Sequence, residues 1–409
     1  MPILLEDDIS YPLPRMHRVR QEFPRPKLDD IRGRIREEFA RPVIKEKIKS
    51  GASVAVGVGS RGIRNLDVIV KAVLKEVKDA GACPFIVSAM GSHGGGEPEG
   101  QREVLKTYGI TEEKMGVDIV TSADVTYIGH TSRGIDVWFD NAAMHADMVI
   151  PVNRVKLHTD FAADIQSGLC KMLVIGLGNH IGCSAMHEEA PKTFGETLID
   201  AAKMIMGAIN VGFGIAVVEN AYDETAMIEA LPYETLIERE KELVKIARDN
   251  MPCLMIPEID VLIVDEIGKN ISGAGYDPNI LGKSVLLDEF VLPVPKIRRM
   301  ALLDVTDESH GNGIGVGAFD VITRKVFEKL DLGQLYANAI AIKCPEDAKI
   351  PIMADSEDEA IRIAVKVARG VDRERLKLVR IKNTLELEII QVSDVLTEYV
   401  MEHDKLSLI

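Results

Sequence analysis

SVAVGVG (53–59), followed after a helical interval by CPFIVSAMG (83–91), decides the fold. Each is a short apolar run ending in glycine, the pattern of a strand buried on both faces. Between them, Leu66 to Ala80 carries apolar residues at helical spacing and stops at Gly81. Strand, helix, strand is the unit of a parallel sheet with crossover helices. Working outward, GVDIV (116–120), DVWFD (136–140), ADMVIPV (146–152) and FGIAVVEN (213–220) extend the strand set. Residues 27–49 read as one amphipathic helix ending near Gly51, and 194–208 as a helix with a Met-rich face. KMLVIGLG (171–178) reads either as a strand or as the first turns of a buried helix.

A second unit begins after the charged helix 233–250 and the prolines Pro252 and Pro257. EIDVLIVDEIG (258–268) is a strand that opens a fresh sheet, and RRMALLDV (298–305), AIAIK (339–343) and the strands around 377–391 continue it. Ser356 and Glu359 form a capping box for a helix over 357–369. Ser393 is placed to cap a last helix. The expectation is therefore an α/β protein of two domains, each a mostly parallel sheet flanked by helices, with the active site in the cleft between them. Their bounds are 1–255 and 256–392, with the segment 393–409 folding back on the first.

The 409 residues carry a net charge of -15, which argues against a nucleic-acid partner, because phosphate backbones are bound by a surplus of Lys and Arg. A small anionic substrate needs only a local positive pocket. The five cysteines, at 83, 170, 183, 253 and 344, form no CxxC pair, so neither a disulfide framework nor a zinc knuckle is expected. MPILLEDDIS (1–10) carries acids where a secretory signal carries bases, and no apolar run reaches bilayer length. These features predict a cytoplasmic protein without a membrane partner; a homo-oligomer is compatible with them.

Gly57-Val58-Gly59-Ser60-Arg61-Gly62 matches the dinucleotide pattern GxGxxG and lies between a strand and a helix. Its acidic partner is missing, because the next strand ends in Ala89, Met90 and Gly91. The better reading is a glycine turn presenting Ser60 and Arg61 at the carboxyl end of a strand, where α/β sheets bind ligands. The Arg61 fork matches a carboxylate or phosphate.

Histidines stand out by context. His93 sits in Gly91-Ser92-His93-Gly94-Gly95-Gly96 directly after a strand, and three glycines let a backbone pass close to a ligand. His158 sits in Asn153-Arg154-Val155-Lys156-Leu157-His158-Thr159-Asp160, also after a strand. Lys171 precedes an apolar run, and a partly buried lysine can act as a nucleophile or covalent anchor. His180 and His187 follow. From these residues alone the reading is a pocket rich in His, Lys and Arg at the carboxyl edge of an α/β sheet.

The ordered set His93, His158, Lys171 and His187, with the phrases NRVKLHTDF, SGLCKMLVIGLG and GAGYDPN, resembles the nickel-pincer lactate racemase family. That resemblance implies nickel held in a pyridinium-3,5-bisthiocarboxylate mononucleotide, linked to Lys171 through a thioamide, with His187 completing the metal's coordination. It implies His93 and His158 as an acid/base pair, and Ser60 and Arg61 as cofactor or substrate contacts. The substrate class implied is a small anionic 2-hydroxyacid, racemised or epimerised by reversible hydride transfer. Leu169-Cys170 replaces the family's Gly-Gly before the lysine, and the only tryptophan, Trp138, lies in the first domain, so lactate itself is less supported than the cofactor. In the second domain Lys269, Asn279, Lys283 and His310 are candidates for substrate contact. A nicotinamide-dependent oxidoreductase using the Gly57–Gly62 turn, and a non-catalytic binder of an anionic nucleotide, are the alternatives.

Overall fold

The computed structural model describes residues 4–60, 62–287 and 289–409. The chain forms two compact units, Arg25–Met251, and Met1–Pro24 together with Pro252–Ile409. β1 (Met16–Gln21) belongs to the second of these; the first unit begins with the helix Ile31–Ala40. The expected single helix over 27–49 is broken at Pro42, which forces Arg41 into extended backbone and starts a new turn, Pro42–Lys45.

In the unit Arg25–Met251, β2 (Ser53–Val58), β3 (Cys83–Ser88), β4 (Ile119–Val120), the hairpin strands β5 (Val125–His130) and β6 (Asp136–Asp140), β7 (Met148–Arg154), β8 (Phe213–Glu219) and β9 (Thr225–Pro232) follow in order. The main sheet runs β4-β3-β2-β7-β8-β9, parallel except for β9. β2 lies at its centre, and Val54, Ala55, Val56 and Val58 are fully buried, as its unbroken apolar run requires. GVDIV pairs only through Ile119 and Val120, at the sheet edge. The helix Leu66–Asp79 packs Ile69, Val70, Val73 and Val77 into the core.

The ambiguous stretch after Lys171 is helical. A short turn Leu169–Lys171 runs into a π-helical turn, Met172–Gly176, and then into the helix Asn179–Met186. Met172 to Gly176 is buried throughout, so hydrophobicity alone could not separate strand from helix here. Wide π turns are frequent beside functional sites.

In the other unit, β10 (Glu258–Ile267), β11 (Lys296–Val305), β12 (Val321–Thr323), β13 (Ile352–Ala354), β14 (Leu378–Ile381), β15 (Ile389–Ser393) and β16 (Leu406–Leu408) join β1 in an eight-stranded sheet, β13-β12-β11-β10-β14-β15-β1-β16. Its first five strands are parallel and the rest antiparallel. Residues 1–24 thus leave the expected 1–255 domain. β1 pairs with β15 and with β16, and backbone pairing outweighs sequence proximity. The segment 393–409 accordingly closes the sheet of its own unit. AIAIK is no strand; it ends the helix Leu332–Ala341, which Asp331 caps and which buries Leu335 and Ala339. Ser393 does not cap a helix. Its buried hydroxyl donates to the Leu376 carbonyl at 2.7 Å and accepts from the Leu378 amide at 3.0 Å. Ser356 does cap Glu357–Val367, but Glu359 accepts from the Asp355 amide at 2.6 Å instead of closing the expected box on Ser356. Among the described residues no single helix is long and apolar enough to cross a membrane.

Candidate functional site

The order β4-β3-β2-β7-β8-β9 places a topological switch between β2 and β7: the chain runs outward from β2 to β4, then returns to the other side of β2. The crevice outside the carboxyl ends of such strands is where α/β sheets bind ligands. Ser60 follows β2, the His93 loop follows β3, and Asn153 to His158 lead out of β7. All three come from that edge.

His93 sits on a loop built from left-handed glycines: Gly94, Gly95 and Gly96 have φ of 66, 72 and 72°. Only glycine adopts this conformation without strain in three successive residues. A Cβ on Gly94 would also fall 2.6 Å from the Gly100–Gln101 backbone. His93 Nδ1 is hydrogen-bonded to Ser60 Oγ, and the Ser60 carbonyl accepts from Tyr108 OH at 2.7 Å. Ser60 and His93, candidates from separate loops, are therefore in contact. Arg61 lies outside the described residues.

His158 and Lys171 are also brought together, Lys171 Nζ against His158 Nε2. The Asp160 amide donates to His158 Nδ1 at 3.0 Å, which turns the Nε2 side of the ring toward the lysine. Gln166 holds the His158 amide at 2.7 Å, and Phe161 stacks on its ring at 4.4 Å.

An aromatic ladder links this pair to His187. Phe161 packs against Phe194 at 4.5 Å between centroids, and Phe194 meets His187 edge-on at 5.8 Å. His187 Nδ1 donates to the Cys183 carbonyl one turn earlier, at 2.6 Å. That bond fixes the tautomer and leaves the Nε2 lone pair as the ligating face. Burial disfavours the charged ring, but the neighbouring Cys183 sulfur and carbonyl outweigh it and hold His187 above its ordinary value. Burial likewise raises the Cys183 thiol, yet His187 and Ser92 outweigh that and bring it to about 7. Cys183 Sγ donates to Ser92 Oγ at 3.6 Å, and the Gly91 amide bonds the Gly176 carbonyl at 3.1 Å. These contacts tie the His93 loop to the segment carrying Lys171 and His187.

The same edge carries Arg64, Arg154 and Lys156 around Glu219 and Asp223. Arg154 pairs with Glu219, which also accepts from the Arg64 amide at 2.6 Å. Burial and the Glu219 charge push the Asp223 carboxyl up to about 6, against the pull of the three cations. Among the described residues no group of three or more His, Cys, Asp and Glu side chains is arranged to hold a metal. A metal at His187 would need its other donors from a ligand.

In the other unit, Lys269 and His310 lie beyond the carboxyl ends of β10 and β11. Lys269 Nζ donates to the Gly273 carbonyl at 2.6 Å and to Asn338 Oδ1 at 2.8 Å, and its amide to Ser309 Oγ, beside His310. Asn279 is buried in the turn Pro278–Leu281, bonded to Asp277 at 3.1 Å. Lys283 lies by Asp320 and Arg299, near the amino ends of β12 and β11, and burial lowers its pKa. The four candidates therefore do not form one cluster: Lys269 and His310 sit at one end of the sheet and Lys283 at the other.

Phe161, Phe194, Cys183 and Tyr108 shape the site without having been singled out from the sequence. Cys183 and His187 are four residues apart, a spacing that puts both on one helix face. The aromatic ladder has no such local signal. The GxGxxG turn departs from a dinucleotide site, because its helix starts at Leu66, four residues beyond Gly62.

Residues 18–197 match the family model of the lactate racemase N-terminal domain, so this segment is lactate-racemase-like. The lactate racemase apoprotein of Thermoanaerobacterium thermosaccharolyticum is similar in fold, at 13% identity and a TM-score of 0.52, over 90% of this chain and 93% of that one. A protein of Thermotoga maritima is similar at 12% identity and a TM-score of 0.53, over 90% of this chain and 99% of that one. Identities this low speak for the fold alone. No curated protein matches the chain.

Proposed function

We infer that this chain, lactate-racemase-like over residues 18–197, is a racemase or epimerase of a small 2-hydroxyacid that works with a nickel-pincer nucleotide. The observation that carries the reading is the meeting of Lys171 Nζ with His158 Nε2 at the carboxyl edge of the sheet. Covalent attachment of an acyl or thioacyl group requires a free amine lone pair, which an ordinary solvated lysine lacks at neutral pH. The residues fit the cofactor in one further respect: His187, its Nδ1 held by the Cys183 carbonyl, offers one ligating nitrogen.

When bound, the cofactor supplies a site that takes the α-hydrogen with its electron pair and gives it back. The chain's own groups manage the proton. The substrate hydroxyl proton passes to one histidine as the α-carbon becomes planar, and return on the other face needs a second histidine as donor. His93 and His158 take these roles, each expected to contribute roughly 10²–10⁴-fold. Attachment through Lys171 would take up the amine that meets His158 Nε2 and leave that nitrogen to the substrate. Ser60 orients His93 through Nδ1. Arg64, Arg154 and Lys156 give this edge a cationic character suited to an anionic ligand. Arg61 completes the proposed substrate contacts of this unit.

Intact mass and metal analysis of protein made together with the cofactor's biosynthetic enzymes test the reading. About one nickel per chain and a mass gain on Lys171 are expected, with the mass gain lost in Lys171→Ala and nickel retention reduced in His187→Ala. Loaded protein should exchange the α-hydrogen of a 2-hydroxyacid, and His93→Ala or His158→Ala should slow that exchange. An unmodified Lys171 under those conditions would sink the proposal.

A further inference from the structure

Glu240 is a fully buried carboxyl group of this unit that the proposed chemistry leaves without a task. It lies on the helix Leu236–Asp249 and is fully buried. Its Oε2 accepts the Cys170 amide at 3.0 Å, and its carboxyl also receives the Leu169 amide and the Cys170 thiol. Its Oε1 meets no hydrogen-bond partner, although it is shut off from solvent. That oxygen lies where a Cβ on Gly168 would come within 2.0 Å. Gly168 is therefore glycine because Glu240 stands against it; its φ of 170° is ordinary extended backbone. From the other side, Asn153 Nδ2 donates to the Gly168 carbonyl at 2.8 Å. Two side chains, one from β7 and one from the helix Leu236–Asp249, grip the turn whose last residue is Lys171.

A buried carboxyl is costly unless it does something an apolar residue could not. We propose that Glu240 is a positioning residue for Lys171: by holding the amides of Leu169 and Cys170, its carboxylate sets the helical turn that delivers the lysine amine to His158. The inference rests on the assignment of Lys171 as the anchor, but the geometry it concerns exists without any cofactor.

Burial raises the Glu240 carboxyl to about 7, against the pull of the amides and thiol that bind it. The carboxylate is therefore lost as pH falls through neutrality, and with it the strongest acceptor for those amides. Few other groups share this environment. The Cys170 thiol faces it, with its own pKa raised by burial. Lys241 on the same helix is bonded to Glu238 at 3.0 Å, Glu229 of β9 to Arg239 at 2.8 Å, and Glu219 of β8 to Arg154.

The test uses the full chain without cofactor. Lys171 and the exposed Lys71 are labelled with an amine-directed activated ester between pH 6 and 9, and both rates are read by peptide mass spectrometry. In the wild-type protein the ratio of Lys171 to Lys71 labelling should drop by about tenfold as pH falls through neutrality, since a lysine no longer held at His158 loses the setting that distinguishes it from Lys71. Glu240→Gln keeps the shape and one acceptor but cannot ionise; its ratio should stay low and flat across the range. If Glu240→Gln does not fold, judged by its thermal transition, Gly168→Ala displaces the same carboxylate and should give the same low, flat ratio. A variant that folds and reproduces the wild-type ratio and its pH step overturns the proposal. Altered labelling together with an unmodified Lys171 in cofactor-loaded cells would instead leave the positioning role standing and remove the anchor role.

Discussion

At the scale of single residues, the site is governed by groups whose protonation is set by burial. Asp223 is a case whose sign can be checked. It holds its proton to about pH 6 in the folded protein, because burial and Glu219 outweigh the nearby cations. An unfolded aspartate releases its proton near pH 4, roughly. Between these values the folded state binds more protons than the unfolded state, so this group's contribution to stability falls as pH rises through that window. Asp223→Asn removes the ionisation and keeps the left-handed backbone at φ 54°, which asparagine tolerates. The variant should be more stable than wild type by about 2 kcal/mol at pH 8 and nearly equal to it at pH 4. Thermal unfolding at the two pH values decides; an equal or lower Tm at pH 8 would show that the cation cluster already compensates the charge. His93, His158 and Lys171 were legible as candidates from their contexts, and His187 from the family resemblance of the ordered set. That Lys171 touches His158 was not, because they stand thirteen positions apart along mostly irregular chain and no local rule specifies their meeting.

At the scale of elements, the His93 loop and the Lys171 segment bring the chemistry to the sheet edge. In the glycine loop the three positions differ in what surrounds them. A Cβ at Gly94 meets the Gly100–Gln101 backbone at 2.6 Å, whereas at Gly95 it meets nothing within 4 Å. Both have positive φ. Gly95→Ala should therefore cost only the left-handed penalty, about 1 kcal/mol, and Gly94→Ala clearly more, roughly 2–3 kcal/mol. Chemical denaturation of the two variants measures the difference; equal losses would mean that the loop relaxes freely. The strand-helix-strand reading of 53–91 needed only periodicity and glycine stops. AIAIK and KMLVIGLG were harder, since a short apolar run carries no period that distinguishes a helix turn from a strand. Around KMLVIGLG the buried surroundings chose helix, whereas the mostly exposed AIAIK ends a helix set by the Asp331 cap and by the burial of Leu335 and Ala339.

At the scale of the whole molecule, the sheet that contains β10 to β16 recruits β1 from the other end of the chain. β1 lies between β15 and β16, so its loss would expose two strand edges at once. Deletion of residues 1–24 should destabilise the unit Pro252–Ile409 and leave Arg25–Met251 protected. Hydrogen exchange read by mass spectrometry along the chain checks this. Faster exchange in both units alike would show that they unfold as one.

By itself the sequence determined the class of fold, the central strands, the glycine turns and the residue types gathered at the carboxyl edge. These follow from local rules, namely hydrophobic period, capping and the conformations open only to glycine. The tertiary structure alone decided which strands share a sheet, that Ser60 meets His93, that Lys171 meets His158, and that Glu240 stands behind Gly168. Each of these depends on chain segments far apart in sequence whose meeting is set by the shared burial of a core, and such burial leaves no mark in a short stretch of residues.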